Sequence, residues 1–286
     1  MGAISVSLAF GYSFLASTMI GWILAKRYRF APNRAATLAF GVAVGLSIPI
    51  LMSSGISDLF RIVKPREAVD WLSISMLIFA VVGFLLPRPI GQKWYVAAPI
   101  VCVVLCARML FGSVYLRSGQ YEWLPILAMV AWGLVLSLLW VVGDREEWPW
   151  RWWDGFVCGV IAATTAMAIA MSGSFTYGAA TGTIAIAMLG CLLSTGRVPS
   201  LSLVPLGAIA GLSFAFAKLG VVELFVFGIA MVTLAGSRHV TSDRWRAAVM
   251  ILVVVISSVG GGLVAKRFVD DMTTTENSYG GYEAYK

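Results

Sequence analysis

The chain has 286 residues, 59% of them hydrophobic and 12% charged, with a mean hydropathy of +0.87. A soluble domain carries about 25% charged residues, so half that share over the whole length excludes a soluble fold. The formal charge of +7, from 21 Lys and Arg against 14 Asp and Glu, lies between long apolar runs. Cations there set membrane topology and meet lipid head groups, which makes the bilayer the expected partner and argues against nucleic acid.

A crossing of about 30 Å of hydrocarbon needs about 20 mostly apolar residues. On that measure the sequence predicts an all-α polytopic membrane protein of ten helices, at 4–25, 35–54, 71–87, 95–115, 122–142, 153–172, 175–195, 200–217, 220–236 and 246–265. No basic residue precedes the first run, and Lys26, Arg27, Arg29 and Arg34 follow it. That order predicts a retained span rather than a cleaved signal. Between spans two and three, Ile56 to Asp70 reads as a short interfacial helix or as a charged loop. The loop after span five carries Trp148, Trp150, Trp152 and Trp153, and indole rings there are expected as anchors at the head-group level. Spans eight and nine come from one apolar run broken by Lys218, Gly220 and Glu223, which predicts a tight hairpin; Pro205 leaves a re-entrant eighth segment as the alternative. Residues 1–268 thus form one membrane domain, and 269–286 a polar, flexible tail.

Loops after odd-numbered spans hold twelve Lys and Arg, and those on the other side eight. The positive-inside rule then puts the protein in the cell membrane with both termini outside the cytoplasm. Ala25-Lys26-Arg27 and Ala265-Lys266-Arg267 follow the first and last spans alike, yet an even count separates them. Nine or eleven spans are the alternatives.

From Trp152 to Ala217 small residues recur every fourth position. Gly155 and Gly159, Gly178 and Gly182, and Gly207 and Gly211 mark helix faces without bulky side chains. In lipid such faces let backbones approach closely, so this stretch is the expected packing centre.

Motifs of catalysis are absent. The sequence has one histidine, His239, no phosphate-binding loop and no metal-ligand spacing. Cys102, Cys106, Cys158 and Cys191 all lie in apolar runs, where they read as small buried residues. No enzyme activity, cofactor or metal is expected. Three features could carry function. Arg108 lies between apolar residues, where it faces a cavity or an anionic substrate, or snorkels from a span end. Lys218 and Glu223 bracket the hairpin turn as a pair. Ser172, Ser174 and Thr176, with Thr164, Thr165, Thr181 and Thr183, supply hydroxyls that would line a pore or bond their own helix carbonyls. The functions these features predict are a small-solute transporter or channel-like protein, or a non-catalytic membrane subunit or scaffold. The partners would be other membrane subunits or a second copy as a homodimer.

Overall fold

A computed structural model describes residues 3–52, 68–85, 152–199, 202–216, 219–237, 240 and 242–280. Every regular element among them is helical. Helix α1 (Ala3–Trp22) runs on into a π-helical turn (Ile23–Arg27), and α2 (Pro32–Met52) and α3 (Ala68–Leu85) follow. After the stretch that lies outside the described residues come α4 (Trp152–Met171), α5 (Phe175–Thr195), α6 (Leu203–Phe216), α7 (Val221–Gly236) and α8 (Asp243–Gly280). Each coincides with an expected span. The expected spans at 95–115 and 122–142 lie outside the described residues, as does the tryptophan loop before Trp152. Among the described residues, five stretches are long and apolar enough to cross a membrane: Ile4–Arg27, Pro32–Met52, Trp153–Met171, Phe175–Thr195 and Asp243–Asp271.

Local chemistry sets the helix ends. Pro32 opens α2, where its missing N–H costs nothing. Asp70, Asp154, Glu223 and Asp243 each stand in a first turn, against the positive end of the helix dipole. Ser174 caps α5 by accepting from the Tyr177 N–H at 3.4 Å. Gly196, at φ 70°, closes α5 in the left-handed conformation that glycine adopts without strain. Pro205 lies in the first turn of α6, and that helix continues unbroken to Phe216. The polar stretch after 268 begins as a continuation of α8, which is helical through Gly280.

Contacts between helices fix their directions. The Ser13 hydroxyl of α1 donates to the Thr183 carbonyl of α5 at 2.8 Å, and Gly21 of α1 lies against Ser194 of α5, so these two helices run parallel. On α2, Gly45 accepts from the Ser73 hydroxyl of α3 and Gly41 lies against Ala80, an antiparallel pair. The Cys191 thiol of α5 lies 3.6 Å from the Ala36 carbonyl of α2, joining the end of one helix to the start of the other. In the α4–α5 hairpin, Gly155 meets Leu192 and Gly178 meets Ala170. Helix α8 packs along α7 and α4. Its Arg246 meets Asp154 at the start of α4, and its Arg267 meets Glu223 at the start of α7.

These directions define two ends of the bundle. The near end holds the starts of α1, α3, α5 and α7, the end of α4, and Arg267. The far end holds the end of α1 and the starts of α2, α4 and α8. Leu85 at the end of α3 and Trp152 at the start of α4 both lie at the far end. Lys26-Arg27 and Lys266-Arg267 lie at opposite ends. Helices α2 and α5 are innermost, with 67% and 61% of their apolar windows buried, against 22% for the window that includes α1 and 28% for α8. The outward faces of α1 and α8 carry Leu8, Leu15, Ile251 and Val255, all exposed, a surface suited to lipid.

Candidate functional site

The buried face of α8 follows a regular alternation of three and four residues: Arg246, Met250, Val253, Ser257, Gly260, Val264 and Arg267. Between its two arginines the whole line is buried. Such spacing keeps one stripe of a helix turned towards its neighbours. Three polar levels punctuate the stripe.

At the far end the Arg246 guanidinium pairs with the Asp154 carboxylate, and Asp154 is 3% exposed. At the near end Arg267 Nη1 lies 3.1 Å from Glu223 Oε1. The Glu223 carboxylate is buried while the Arg267 side chain is half-exposed, and Glu223 Oε2 has no hydrogen-bond partner among the described residues. Twenty-one residues separate the arginines, about 32 Å at 1.5 Å per residue. That matches the roughly 30 Å of a hydrocarbon layer. A layer of that thickness centred on the stripe would meet its interfaces at the two charged pairs, and the carboxylate of each is buried.

Midway between them are two more polar groups. Thr165 lies eleven residues beyond Asp154 on α4, and Ser257 eleven beyond Arg246 on α8. Eleven residues make about three turns and about 16 Å. Each therefore returns to the face that carries its ion pair, at matching depth on two parallel helices. Both side chains are fully buried, and neither hydroxyl has a hydrogen-bond partner among the described residues. A buried orphan of this kind costs about 1–3 kcal/mol.

The other hydroxyls behave differently. Thr164 donates to the Val160 carbonyl at 3.0 Å, Ser172 to Ile169 at 2.7 Å, Thr181 to Tyr177 at 2.8 Å and Thr183 to Ala180 at 2.7 Å. Ser174 serves as the α5 cap, and Thr176 lies in the first turn of that helix. Of the expected hydroxyl cluster, then, the members whose partners are defined bond their own helix or cap it. Arg108 and Lys218 lie outside the described residues, as do Cys102 and Cys106. Glu223 Oε1 is met by Arg267 of α8. Cys158 and Cys191 are buried, and neither forms a disulfide with a described residue.

The expected packing glycines divide. A Cβ on Gly155 would lie 2.9 Å from Leu192 Cδ1, on Gly178 2.7 Å from the Ala170 Cβ, and on Gly182 2.7 Å from Phe10 Cζ. Gly207 and Gly211 are buried on α6. Gly159 marks no close approach to any described residue, since nothing described lies within 4 Å of the Cβ it lacks. Sequence reasoning passed over Gly21, Gly41, Gly45 and Gly190, each of which does. It also passed over Asp154, Arg246, Ser257 and Arg267. The available signal was the shared eleven-residue step from charge to hydroxyl in two distant segments.

Compared with family models, curated proteins and solved structures, the chain finds no match.

Proposed function

We propose that this chain is a multi-pass cell-membrane transporter, non-catalytic and of about ten spans, carrying a small neutral solute along the α4–α7–α8 seam. The observation that carries this reading is the Thr165–Ser257 level: two buried hydroxyls without partners, at mid-depth and in register. Hydroxyls left unbonded in lipid are ready to take a solute's donors and acceptors, whereas a helix built only for packing satisfies them on its own carbonyls. The ion pairs at the two ends would act as gates that open in turn as α8 rocks, the motion by which alternating access exposes a central site. The two described cations of the seam, Arg246 and Arg267, are each held by a carboxylate, so a neutral hydrogen-bonding solute suits the seam better than an anion. The shared end of Leu85 and Trp152 supports an even span count. With the positive-inside rule it supports a cytoplasmic far end and both termini outside.

The test is solute entry into proteoliposomes, followed by stopped-flow light scattering with glycerol and urea. Thr165→Val combined with Ser257→Ala should cut flux at least tenfold while thermal stability holds or rises, because each change removes an orphaned hydroxyl. Thr165→Ser should retain flux. Full flux in the double variant sinks the proposal. Arg108→Ala, at the remaining candidate, should abolish flux if a second site lies on that span.

The alternative, a non-catalytic subunit of a larger membrane complex, is favoured by one observation. The α1–α5 contact is built from small residues, with Gly21 and Gly190 admitting serines and Ser13 bonding across to the Thr183 carbonyl, the chemistry of assembly rather than passage. The native mass of the tagged protein in mild detergent, at natural expression level, separates the readings. A monomer or homodimer fits transport; a larger particle with other proteins fits the subunit.

A further inference from the structure

The far end of the bundle carries a second feature, independent of the α8 seam. Where α1 passes into α2, four cations occur within nine residues: Lys26, Arg27, Arg29 and Arg34. Arg197, just past the end of α5, joins them by donating from Nη1 to Asn33 Oδ1 at 2.9 Å. No carboxylate among the described residues pairs with any of the five. Arg246 and Arg267, by contrast, each meet a carboxylate.

The platform beneath it is fixed. Phe30 packs edge-on against Phe84 of α3, with ring centroids 5.0 Å apart, and Tyr28 lies 6.4 Å from Phe30. The Arg197–Asn33 bond ties the same turn to α5. Around it Trp22, Tyr28 and Phe30 stay exposed, a ring of aromatic side chains suited to the boundary between acyl chains and head groups. Arg29 stands in the left-handed region at φ 54°, where glycine or asparagine would be the unstrained choice. A charged side chain kept at a backbone position that disfavours it points to a use for the charge.

We propose that the α1–α2 turn and Arg197 form a binding site for the head group of an anionic phospholipid in the leaflet at the far end. The phosphodiester would take hydrogen bonds from Arg27, Arg29 and Arg34, an exchange of hydration for charge-assisted bonds at fixed donors. The acyl chains would lie along the apolar outer face of α1, past Trp22 and Met19, both exposed. Specific retention then comes from geometry as well as from net charge. Anionic lipid is concentrated on the cytoplasmic side of a cell membrane, so the site would also anchor the orientation of the chain.

The experiment is native mass spectrometry of the full-length protein in detergent, titrated with palmitoyl-oleoyl phosphatidylglycerol and, separately, with the phosphatidylcholine of the same chains. Phosphatidylglycerol should bind preferentially, and the preference should fall about fivefold for each cation removed in Arg27→Gln, Arg29→Gly and Arg34→Gln, a factor equivalent to about 1 kcal/mol. Arg29→Gly separates binding from folding: it relieves the left-handed backbone, so its melting temperature should hold or rise while lipid preference drops. Inorganic phosphate at 10 mM should not displace the bound lipid. Equal binding of both lipids, or a preference unchanged in all three variants, overturns the proposal. Displacement by phosphate overturns it in favour of a site for a soluble anion.

Discussion

Two interfaces in this bundle solve the same problem in opposite ways. Where α1 meets α5, small residues bring backbones together; Ser13 and Ser17 end on carbonyls, and Thr18 Oγ1 has no described partner. Ser13 bonds across to Thr183, Ser17 bonds within its own helix at 2.7 Å, and Gly190 and Gly21 admit the serines facing them. Where α8 meets α4 and α7, larger side chains pack, and polar groups appear as two ion pairs with an unsatisfied level between them. Without a hydrophobic drive between helices in lipid, the first interface draws on close van der Waals contact. The second depends on charges that must stay paired. One is built for permanence and the other can be undone.

Removing one side of the far-end pair should show the largest effect. Asp154→Ala leaves Arg246 largely buried without its carboxylate and should cost about 3 kcal/mol, since breaking a buried pair strands the other charge. Adding Arg246→Met should restore most of the loss, as read from melting temperature in detergent. A double variant no better than the single would mean that the pair is not what holds α8 to α4. Next comes Gly190→Val at the α1–α5 contact, where a Cβ would meet the Ser17 hydroxyl and lie 3.0 Å from the Phe14 carbonyl. Overpacking there should cost about 2 kcal/mol; a neutral result would show that α1 can shift and that this interface is not rigid. Glu223→Gln at the near end should cost about 1 kcal/mol, less than its far-end counterpart because Arg267 is half in water. A loss equal to that of Asp154→Ala would erase the asymmetry between the two ends. Smallest is Gly159→Ala, which meets nothing described within 4 Å and should stabilise α4 by about 0.5–1 kcal/mol through helix propensity.

Helix positions were readable from sequence because hydropathy is a local property, and α5 was expected at 175–195 and found at Phe175–Thr195. Helix ends at Asp70, Asp154 and Glu223 follow from first-turn chemistry that is equally local. Pairings were not readable. Asp154 and Arg246 are 92 residues apart, and Glu223 meets Arg267 of a different helix. Small residues alone do not reveal which faces meet: Gly159 shares its spacing with Gly155 yet meets no described residue, while Gly41 and Gly45 repeat the same four-residue step against α3. Composition places a face on a helix, and only the fold decides what lies opposite. Thr165 was one hydroxyl among several in the sequence; it became distinct only when its neighbours proved bonded and it did not.

The length of α8 gives the near-end pair a long reach. Thirteen residues of unbroken helix continue past Arg267 to Gly280, so the helix extends about 50 Å from its foot at Arg246. A tilt of about 10° around that foot would sweep the tip through roughly 9 Å and carry Arg267 about 5 Å from Glu223. The near-end pair is thus a latch on the direction in which the far larger reach of α8 points.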